Sequence, residues 1–443
     1  MAGLSVSALP FVLDTRLAGP ASGVVEAGRA ADAAARLIAD AGGRAGFLEV
    51  PGDVAAADRV IAAAAAVPRH FRKVLVLGIG GSGLGAQAAL AALAPIPAAP
   101  GAREVRVLAN VDPASVAAAL AWFDPADTLL DVVTKSGNTV ETLSQFALFA
   151  DRIRAARGDE GLRDGVVMTT DPEKGPVRRI ADKIGCVALD VPPRVGGRFS
   201  VLTPVGLFPL ALAGCDVRAM LAPAEAVLAA LRAAPGAGHP SVLSAAIHEA
   251  LLAGGAGIRV LWAYCDRLAA LGDWFSQLWA ESLGKAGAGQ TPVRAIGSTD
   301  QHSLLQLFME GPADKCFTFV TVDGPAPELP LPDLSALDPD LAEFAGLPLG
   351  RVFDALRMGT MTALAKSGRP VMRIRVPRLD EAAVGALFAH FEVETAVAGY
   401  LRGIDPFDQP GVEAGKRYAH GVLGKPGMEG YRDEAFAVLG EGE

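Results

Sequence analysis

Cysteine and histidine are both rare in this chain, and neither is arranged to hold a metal ion. Among 443 residues there are 4 cysteines and 6 histidines. No two histidines stand at the i, i+4 spacing that is typical of a zinc site on a helix, so we expect no catalytic metal. We interpret the isolated cysteines as small buried side chains that stay reduced in the cytosol. They are Cys186, Cys215, Cys265 and Cys316.

Positive charge is scarce as well. Lysine and arginine number 40 against 49 aspartates and glutamates, which gives a net charge of −9. We therefore expect no nucleic-acid partner, because binding to a phosphate backbone requires a basic face. A small anion can still bind, since a few local cations and backbone N–H groups are enough to hold it.

The chain has no long apolar run at its start or in its alanine-rich part. The segment 61–67 is mostly alanine and is too short to span a bilayer, so we expect no membrane partner. The first residues lack a charged segment followed by an apolar core. We therefore expect no signal peptide and a cytoplasmic location.

Apolar residues are abundant, at 51% of the chain, which is enough to build sizeable cores. Short strand-like segments alternate with helical patterns, beginning with a strand predicted at Lys73–Leu77. This alternation predicts an α/β fold with two doubly wound parallel sheets. We expect a helical N-terminal cap over residues 1–70, a first sheet domain over 71–232, a second over 241–424 that includes a helical C-terminal region, and a tail over 425–443.

A glycine-rich turn follows the first predicted strand, over residues 78–83. It matches the Gly-x-Gly-x-x-Gly dinucleotide fingerprint, but the next strand ends at Asn110 rather than at an acidic residue. No Gly-Lys-Ser/Thr follows either, so Gly81 and Ser82 fit a monophosphate cradle better than a nucleotide loop. The alternative is a turn that serves only to pack the helix against the sheet.

A second polar turn, over residues 134–139, also joins a predicted strand to a predicted helix. The hydroxyls of Thr134, Ser136 and Thr139 would gather at a helix start whose free N–H groups favour an anion, with Lys135 beside them. The alternative is ordinary N-capping by Ser136 or Asn138, with the lysine in solvent. Strands of one sheet bring both turns to the same edge, which favours the anion interpretation.

An arginine directly follows two glycines in the run Gly196-Gly197-Arg198. The glycines remove side-chain bulk, so a ligand can come close to Gly197 and to a planar guanidinium that suits an anion. The alternative for Arg198 is an ordinary surface ion pair.

Glu281 is the candidate proton-transfer group. It lies on a predicted helix over 273–283, one turn after Gln277 and beside apolar ridges that contain Trp274 and Trp279. A carboxylate near such bulk can be partly desolvated and so prepared for acid–base work. The alternative is a common i, i+4 ion pair with Lys285.

Two further polar residues carry weaker signals. His302 follows Ser298 and Gln301, which match a capping box, so we expect it in the first turn of a helix over 301–309. The positive end of that helix would favour a neutral acid–base group; the alternative is a polar residue beside a cap. Lys416, the other, is either catalytic or a solvated lysine beside Glu413.

Together these segments resemble the glucose-6-phosphate isomerase family, also called phosphoglucose isomerases, in its compact bacterial form. The resemblance runs from about Lys73 to about Gly424, and the segments outside these bounds do not take part in it. Within it, residue 134 is threonine where many relatives have serine, and both residues carry a hydroxyl. Each motif alone is modest, but the ordered set is specific. The motifs are Gly80-Gly81-Ser82, residues 134–142, residues 196–200, Glu281-Ser282-x-Gly284-Lys285, Gln301-His302-Ser303 and Gln409-x-Gly411-Val412-Glu413-x-Gly415-Lys416.

The resemblance implies two sugar-isomerase (SIS) domains and a homodimer in which His302 crosses the interface. It implies interconversion of glucose 6-phosphate and fructose 6-phosphate, in glycolysis and gluconeogenesis, without a cofactor. The implied roles are proton transfer between C2 and C1 by Glu281, enediolate stabilisation by Arg198, ring opening assisted by His302 and Lys416, phosphate binding by Ser82, Thr134, Ser136 and Thr139, and a sugar site lined by Gln277 and Gln409.

Two other functions fit parts of the pattern. A non-catalytic SIS protein that senses a sugar phosphate would keep the turns but could lose Glu281 and His302, so their presence counts against it. A broader aldose–ketose isomerase that also accepts mannose 6-phosphate would share every motif, and the sequence pattern leaves it open.

Overall fold

The computed structural model describes residues 9–19, 26–93, 101–324 and 327–440, and these form two five-stranded sheets with helices around them. The predicted α/β fold with doubly wound parallel sheets is confirmed. The alternation of strands and helices predicted this fold because strands that are buried on both faces appear in the sequence as short, nearly continuous apolar segments.

The segment before residue 71 contains helices and one short strand. Its elements are β1 (Val12–Asp14), α1 (Ala27–Ala39) and α2 (Val54–Ala66). The side chain of Asp53 caps α2 by accepting a hydrogen bond from the backbone N–H of Ala56, at 2.9 Å. The predicted helical cap over residues 1–70 therefore also contributes a strand, although residues 1–8 and 20–25 of it lie outside the described residues.

The first sheet is entirely parallel. Its elements are β2 (Lys73–Leu77), α3 (Leu84–Leu93), β3 (Glu104–Leu108), α4 (Pro113–Trp122), β4 (Thr128–Thr134), α5 (Val140–Gly165, broken at Gly158), β5 (Val166–Thr170), α6 (Pro176–Ile184) and β6 (Val187–Asp190). The strand order is β3-β2-β4-β5-β6. Along β2, Val74 and Val76 face one apolar core while Leu75 and Leu77 face another, so both faces of the sheet are covered.

The second sheet resembles the first but has an antiparallel edge. Three helices connect the sheets, α7 (Pro204–Leu212), α8 (Val217–Ala233) and α9 (Pro240–Ala253), and they are followed by β7 (Ile258–Tyr264), α10 (Ala269–Leu283), β8 (Thr291–Ile296), α11 (Leu305–Glu310), β9 (Lys315–Val322), α12 (Leu349–Lys366) and β10 (Val371–Val376). The order is β1-β10-β9-β7-β8, and only β1 runs antiparallel. The amino-terminal segment thus completes the carboxyl-terminal sheet.

The largest core lies between the two sheets. The final helices are α13 (Glu381–Arg402), α14 (Glu413–Val422) and α15 (Glu429–Leu439). Residues 383–399 of α13 are all buried, as expected for a helix that other elements surround on every side. Helix α10 buries both of its predicted aromatic ridges in the same core, including Trp274 and Trp279. The rigid packing around α10 fixes the position of the polar residues at its carboxyl end.

The described ranges contain neither a membrane-spanning helix nor a metal-binding cluster. None of their helices is both long and apolar enough to cross a bilayer. Nor do those ranges contain a cluster of three or more histidine, cysteine, aspartate or glutamate side chains that could bind a metal ion.

Candidate active site

The strand order of the first sheet reverses between β2 and β4, and the two polar turns lie on either side of that point. From β2 the chain crosses to β3 on one side, and β4 then pairs with β2 on the other side. The carboxyl ends of such strands border a crevice where α/β proteins bind ligands. The turn at Gly80–Ser82 follows β2 and the turn over 134–139 follows β4, so both open onto the same edge of the sheet.

The three hydroxyls of the second turn lie together. The Oγ1 of Thr134 is 2.9 Å from the Oγ1 of Thr139, and the Oγ of Ser136 is 3.4 Å from each of them. Thr139 is the N-cap of α5, yet it makes no side-chain capping bond. The hydroxyls thus gather at a helix start whose first N–H groups have no side-chain cap from Thr139, which is an arrangement that suits an anion.

Lys135 in this turn is not free in solvent. Its Nζ donates a hydrogen bond to the backbone carbonyl of Pro193, at 2.8 Å. Burial lowers the pKa of the ammonium group. This contact ties the hydroxyl turn to the segment that precedes Arg198.

A third turn, the short 3₁₀ helix Gly197–Phe199, packs directly against the turn after β2. A Cβ placed on Gly81 would lie 2.6 Å from the backbone nitrogen of Arg198 and closer still to the carbonyl carbon of Gly197. Only glycine permits this approach of two backbones. A Cβ on Gly197, in contrast, would meet no atom within 4 Å, so that backbone faces open space.

We predict that Gly81→Ala separates the two turns and destabilises the protein by about 1–3 kcal/mol, because backbone atoms cannot yield to the added methyl group. Urea unfolding of purified wild-type and variant protein measures the change. Gly197→Ala is the matched control, and its unfolding free energy is expected to stay within about 0.5 kcal/mol of wild type. Equal stability of Gly81→Ala and wild type would contradict the close packing of these two turns.

Arg198 is buried, so it is not a surface ion pair; its side chain is only 2% exposed. Its Nε donates to the Oγ of Ser282 at 2.7 Å, and its Nη1 donates to the Oε1 of Gln409 at 2.9 Å. Its Nη2 donates to the carbonyls of Pro406 and Asp408, at 2.6 and 3.0 Å. The guanidinium thus joins the end of α10 to the segment after α13.

The carboxylate of Glu281 lies between an arginine and an amide. The Nη1 of Arg198 is 3.3 Å from its Oε2, and the Nε2 of Gln277 donates to its Oε1 at 3.0 Å. Its side chain is 30% exposed, so a ligand can reach it. The alternative partner, Lys285, instead pairs with Asp408 at 2.5 Å. Glu281 is therefore positioned by two specific donors rather than by an ion pair along its own helix.

Of the two carboxyl-terminal residues of the predicted set, Gln409 lines the cleft that contains Glu281, and Lys416 lies outside the lining of that cleft. Gln409 and residues 410–412 line it together with Glu281 and Lys285. Lys416 lies one turn further on in α14, where its Nζ is 2.7 Å from the Oε1 of Glu413 and its side chain is 59% exposed. The contacts of Lys416 within this chain thus match the solvated alternative, and its catalytic role stays a prediction.

His302 occupies a different local structure from the predicted one. The expected helix start and capping box are wrong: a 3₁₀ turn covers Thr299–Gln301, and α11 begins only at Leu305. The side chain of Gln301 instead donates hydrogen bonds at 2.6 Å to the hydroxyls of Tyr264 and Thr360, and at 3.0 Å to the backbone carbonyl of Leu356. His302 is left exposed on the turn after β8. No described contact joins it to Glu281 within the chain.

Sequence reasoning missed three residues that assemble this cleft. Ser282 holds Arg198, and Lys285 and Asp408 pair across the cleft. Ser282 and Lys285 belong to the Glu-Ser-x-Gly-Lys motif, and that motif is the sequence signal that could have identified them. Asp408 carried no signal, because its importance depends on contacts with residues more than 120 positions away.

Comparisons with known proteins agree with this architecture. The family model described as phosphoglucose isomerase matches residues 58–322 and 349–433. The glucose-6-phosphate isomerase of Rubrobacter xylanophilus is 45% identical over 79% of this chain and 82% of the relative, and that of Thermus thermophilus is 37% identical over 87% and 92%. A solved structure of a hypothetical protein from Thermus thermophilus matches with a TM-score of 0.85 at 34% identity, over 93% of this chain and 99% of that one.

A glucose-6-phosphate isomerase structure from Chlamydia trachomatis shares the fold, with a TM-score of 0.70 at 23% identity, over 86% of this chain and 76% of that one. The family model and the curated relatives place the chain in the class of isomerases that act on phosphorylated sugars. Within that class, the extent of the family match and the identity to the relatives are decisive. The chain belongs to the phosphoglucose isomerase family.

Proposed function

We propose that this chain interconverts D-glucose 6-phosphate and D-fructose 6-phosphate with Glu281 as the only proton-transfer base. The interconversion, a step of glycolysis and gluconeogenesis, follows from membership of the family. The observation that supports the assignment of the base is the setting of its carboxylate, which two donors orient while 30% of the side chain stays accessible. A proton shift between adjacent carbons needs one base that reaches both, so one carboxylate suffices.

The proton and charge balance of the proposed reaction involves two side chains. After the sugar ring opens, Glu281 takes the proton from C2 of the aldose, and the electrons left behind form a cis-enediolate. The hydroxyl proton at O2 passes to O1, and the same carboxyl group returns the proton taken from C2 to C1. This yields the ketose, with a carbonyl at C2 and a hydroxyl at C1. The permanently charged Arg198 lies 3.3 Å from Glu281 and offsets the negative charge that develops on the enediolate. The proposed mechanism needs no metal.

The hydroxyls of the two turns would hold the phosphate. Ser82 stands in the turn after β2, and the second turn supplies the hydroxyl group of Thr134, Ser136 and Thr139. The phosphate is far from the reacting carbons, so its binding energy serves to position them rather than to change their reactivity. Gln277 and Gln409 would contact the sugar.

We further propose a cytoplasmic homodimer in which each site takes His302 from the partner. Support comes from the position of His302, which is exposed on the turn after β8, whereas Glu281 lies at the cleft beside Gln409. In the dimer His302 and Lys416 would assist ring opening by moving protons at the ring and C5 oxygens.

A coupled assay with purified protein tests the function. Fructose 6-phosphate supplied alone should be converted to glucose 6-phosphate, which a dehydrogenase then oxidises with a measurable absorbance change. Mannose 6-phosphate and glucosamine 6-phosphate form the comparison arms, and a turnover of mannose 6-phosphate equal to that of fructose 6-phosphate would support the broader isomerase instead. Absence of any turnover would contradict the proposal.

Exchange of subunits tests the shared site. We predict that Glu281→Gln and His302→Ala proteins, each inactive alone, regain activity when they are mixed, dissociated and reassociated. In a heterodimer one site collects both defects and the other is wild type, so up to one active site per heterodimer is expected. Confirmed heterodimers without activity would show that each chain builds its site alone.

A further inference from the structure

The segment 405–409 follows the long buried helix α13, and two cations from distant parts of the chain hold it. One is Arg198, whose Nη2 donates to the carbonyls of Pro406 and Asp408. The other is Lys285, whose Nζ donates to the carbonyl of Asp408 at 2.7 Å, to the Oδ1 of that residue at 2.5 Å and to the carbonyl of Asp405. Both cations share the carbonyl of Asp408.

Lys285 connects the carboxyl end of α10 to this segment. It lies just after the end of α10, four residues beyond Glu281, and its side chain is 13% exposed. Its backbone is fixed by a reciprocal pair of hydrogen bonds with Ala288, at 3.1 and 3.0 Å. The ammonium group therefore leaves a fixed backbone and ends on three acceptors of one short segment.

The held segment leads directly to residues of the proposed site. Gln409 accepts a hydrogen bond from Arg198, and α14 with Lys416 begins four residues later. The carboxylate of Asp408 also interacts electrostatically with Arg198 and favours its charged form, which the proposed mechanism requires. Lys285 pairs with that carboxylate and so reduces a negative potential that would otherwise weaken the attraction between Arg198 and the enediolate.

We propose that Lys285 is a positioning residue for the isomerisation. It sets the distance between Glu281 and the 405–409 segment and keeps Asp408 paired, without touching the substrate. This inference rests on the proposed function. Because a misplacement of about 1 Å can cost about 10²-fold in rate, loss of this contact should slow turnover while the phosphate-binding turns, which lie on other elements, still bind the sugar phosphate.

The test is a kinetic comparison of Lys285→Met with wild type in the full-length protein. We expect kcat to fall about 10²-fold and KM for fructose 6-phosphate to change less than about 3-fold. Binding of sorbitol 6-phosphate, an open-chain analogue without a carbonyl group, should remain within about 3-fold. Lys285→Arg should recover part of the lost turnover, since its guanidinium can donate to the same acceptors.

A matched control exists at Lys315. Its Nζ also bonds an aspartate oxygen, of Asp314 at 2.5 Å, and a carbonyl, of Pro312 at 3.2 Å, and its side chain is only 4% exposed. Lys315→Met should therefore lose a comparable set of contacts in the second sheet and keep kcat within about 2-fold. If Lys285→Met does not fold, Asp408→Asn replaces it, because that carboxylate is 54% exposed and its removal should lower kcat about 10-fold.

The outcomes separate the two proposals. If the wild-type protein shows no isomerase activity, the proposed function is wrong. An active wild type, an inactive Glu281→Gln variant and a Lys285→Met or Asp408→Asn variant with normal kcat would overturn the role of Lys285 alone. A fall in kcat equal to that of Lys315→Met would also overturn it, because the loss would then reflect general destabilisation.

Discussion

Glu281→Gln is expected to lower kcat by about 10²–10⁴-fold, because a positioned acid–base group contributes that much and no second carboxylate takes part in the proposed proton shift. Glutamine keeps the shape of the side chain, and its one carbonyl oxygen can still accept a hydrogen bond from either Arg198 or Gln277. Binding of the sugar phosphate should therefore stay within a few-fold of wild type. Steady-state kinetics and titration with sorbitol 6-phosphate measure the two effects separately.

Glu225 offers a matched control for this substitution. It lies on α8, pairs with Arg232 and is 31% exposed, almost the same as Glu281 at 30%. Glu225→Gln should keep kcat within about 2-fold, since it lies outside the proposed site. A Glu281→Gln protein with turnover near wild type would assign the proton transfer to another group.

Arg198→Lys is expected to cost about 2.7–4 kcal/mol in the transition state, although it keeps the charge. The guanidinium reaches Ser282, Gln409 and two backbone carbonyls from one planar group, in addition to Glu281. A lysine ammonium is a point charge with three donors on a shorter side chain, so it cannot bond all of these acceptors. If Arg198 acts on charge that develops only in the enediolate, the loss appears in kcat rather than in KM.

Arg369→Lys is the control for the loss of a buried guanidinium. Arg369 is 8% exposed and donates to the carbonyls of Met309 and Gly311, at 3.0 and 2.7 Å, outside the proposed site. Its kcat should stay near wild type even if the melting temperature falls. A normal kcat with a raised KM in Arg198→Lys would instead assign Arg198 to ground-state binding of the substrate.

The sequence predicted the buried elements well and the edges poorly. The predicted bounds of β2 coincide with the observed ones, since buried parallel strands need consecutive apolar residues with clear ends. The strand β1 was not predicted. It has three residues and pairs with β10, about 360 positions away, so no local pattern marks it.

Local rules also failed where a distant residue offered a better partner. The capping box at Ser298 was wrong because Gln301 bonds the hydroxyl groups of Tyr264 and Thr360 instead of the helix start. The i, i+4 ion pair of Glu281 with Lys285 was absent because Asp408 and the carbonyls around it hold the lysine. Spacing along a helix describes which contacts are available, and tertiary packing decides which of them form.

The sequence by itself determined the fold class and the two turns that follow β2 and β4, because strand burial and turn chemistry are local properties of the chain. Only the tertiary structure decided that Arg198, Glu281 and Gln409 meet at one cleft. These residues come from three segments separated by 83 and 211 positions from the arginine, and the burial of α10 and α13 between the two sheets brings the segments together. The physical reason is that apolar burial, which is non-directional, sets the positions of the helices, and the polar contacts at their ends then follow from those positions.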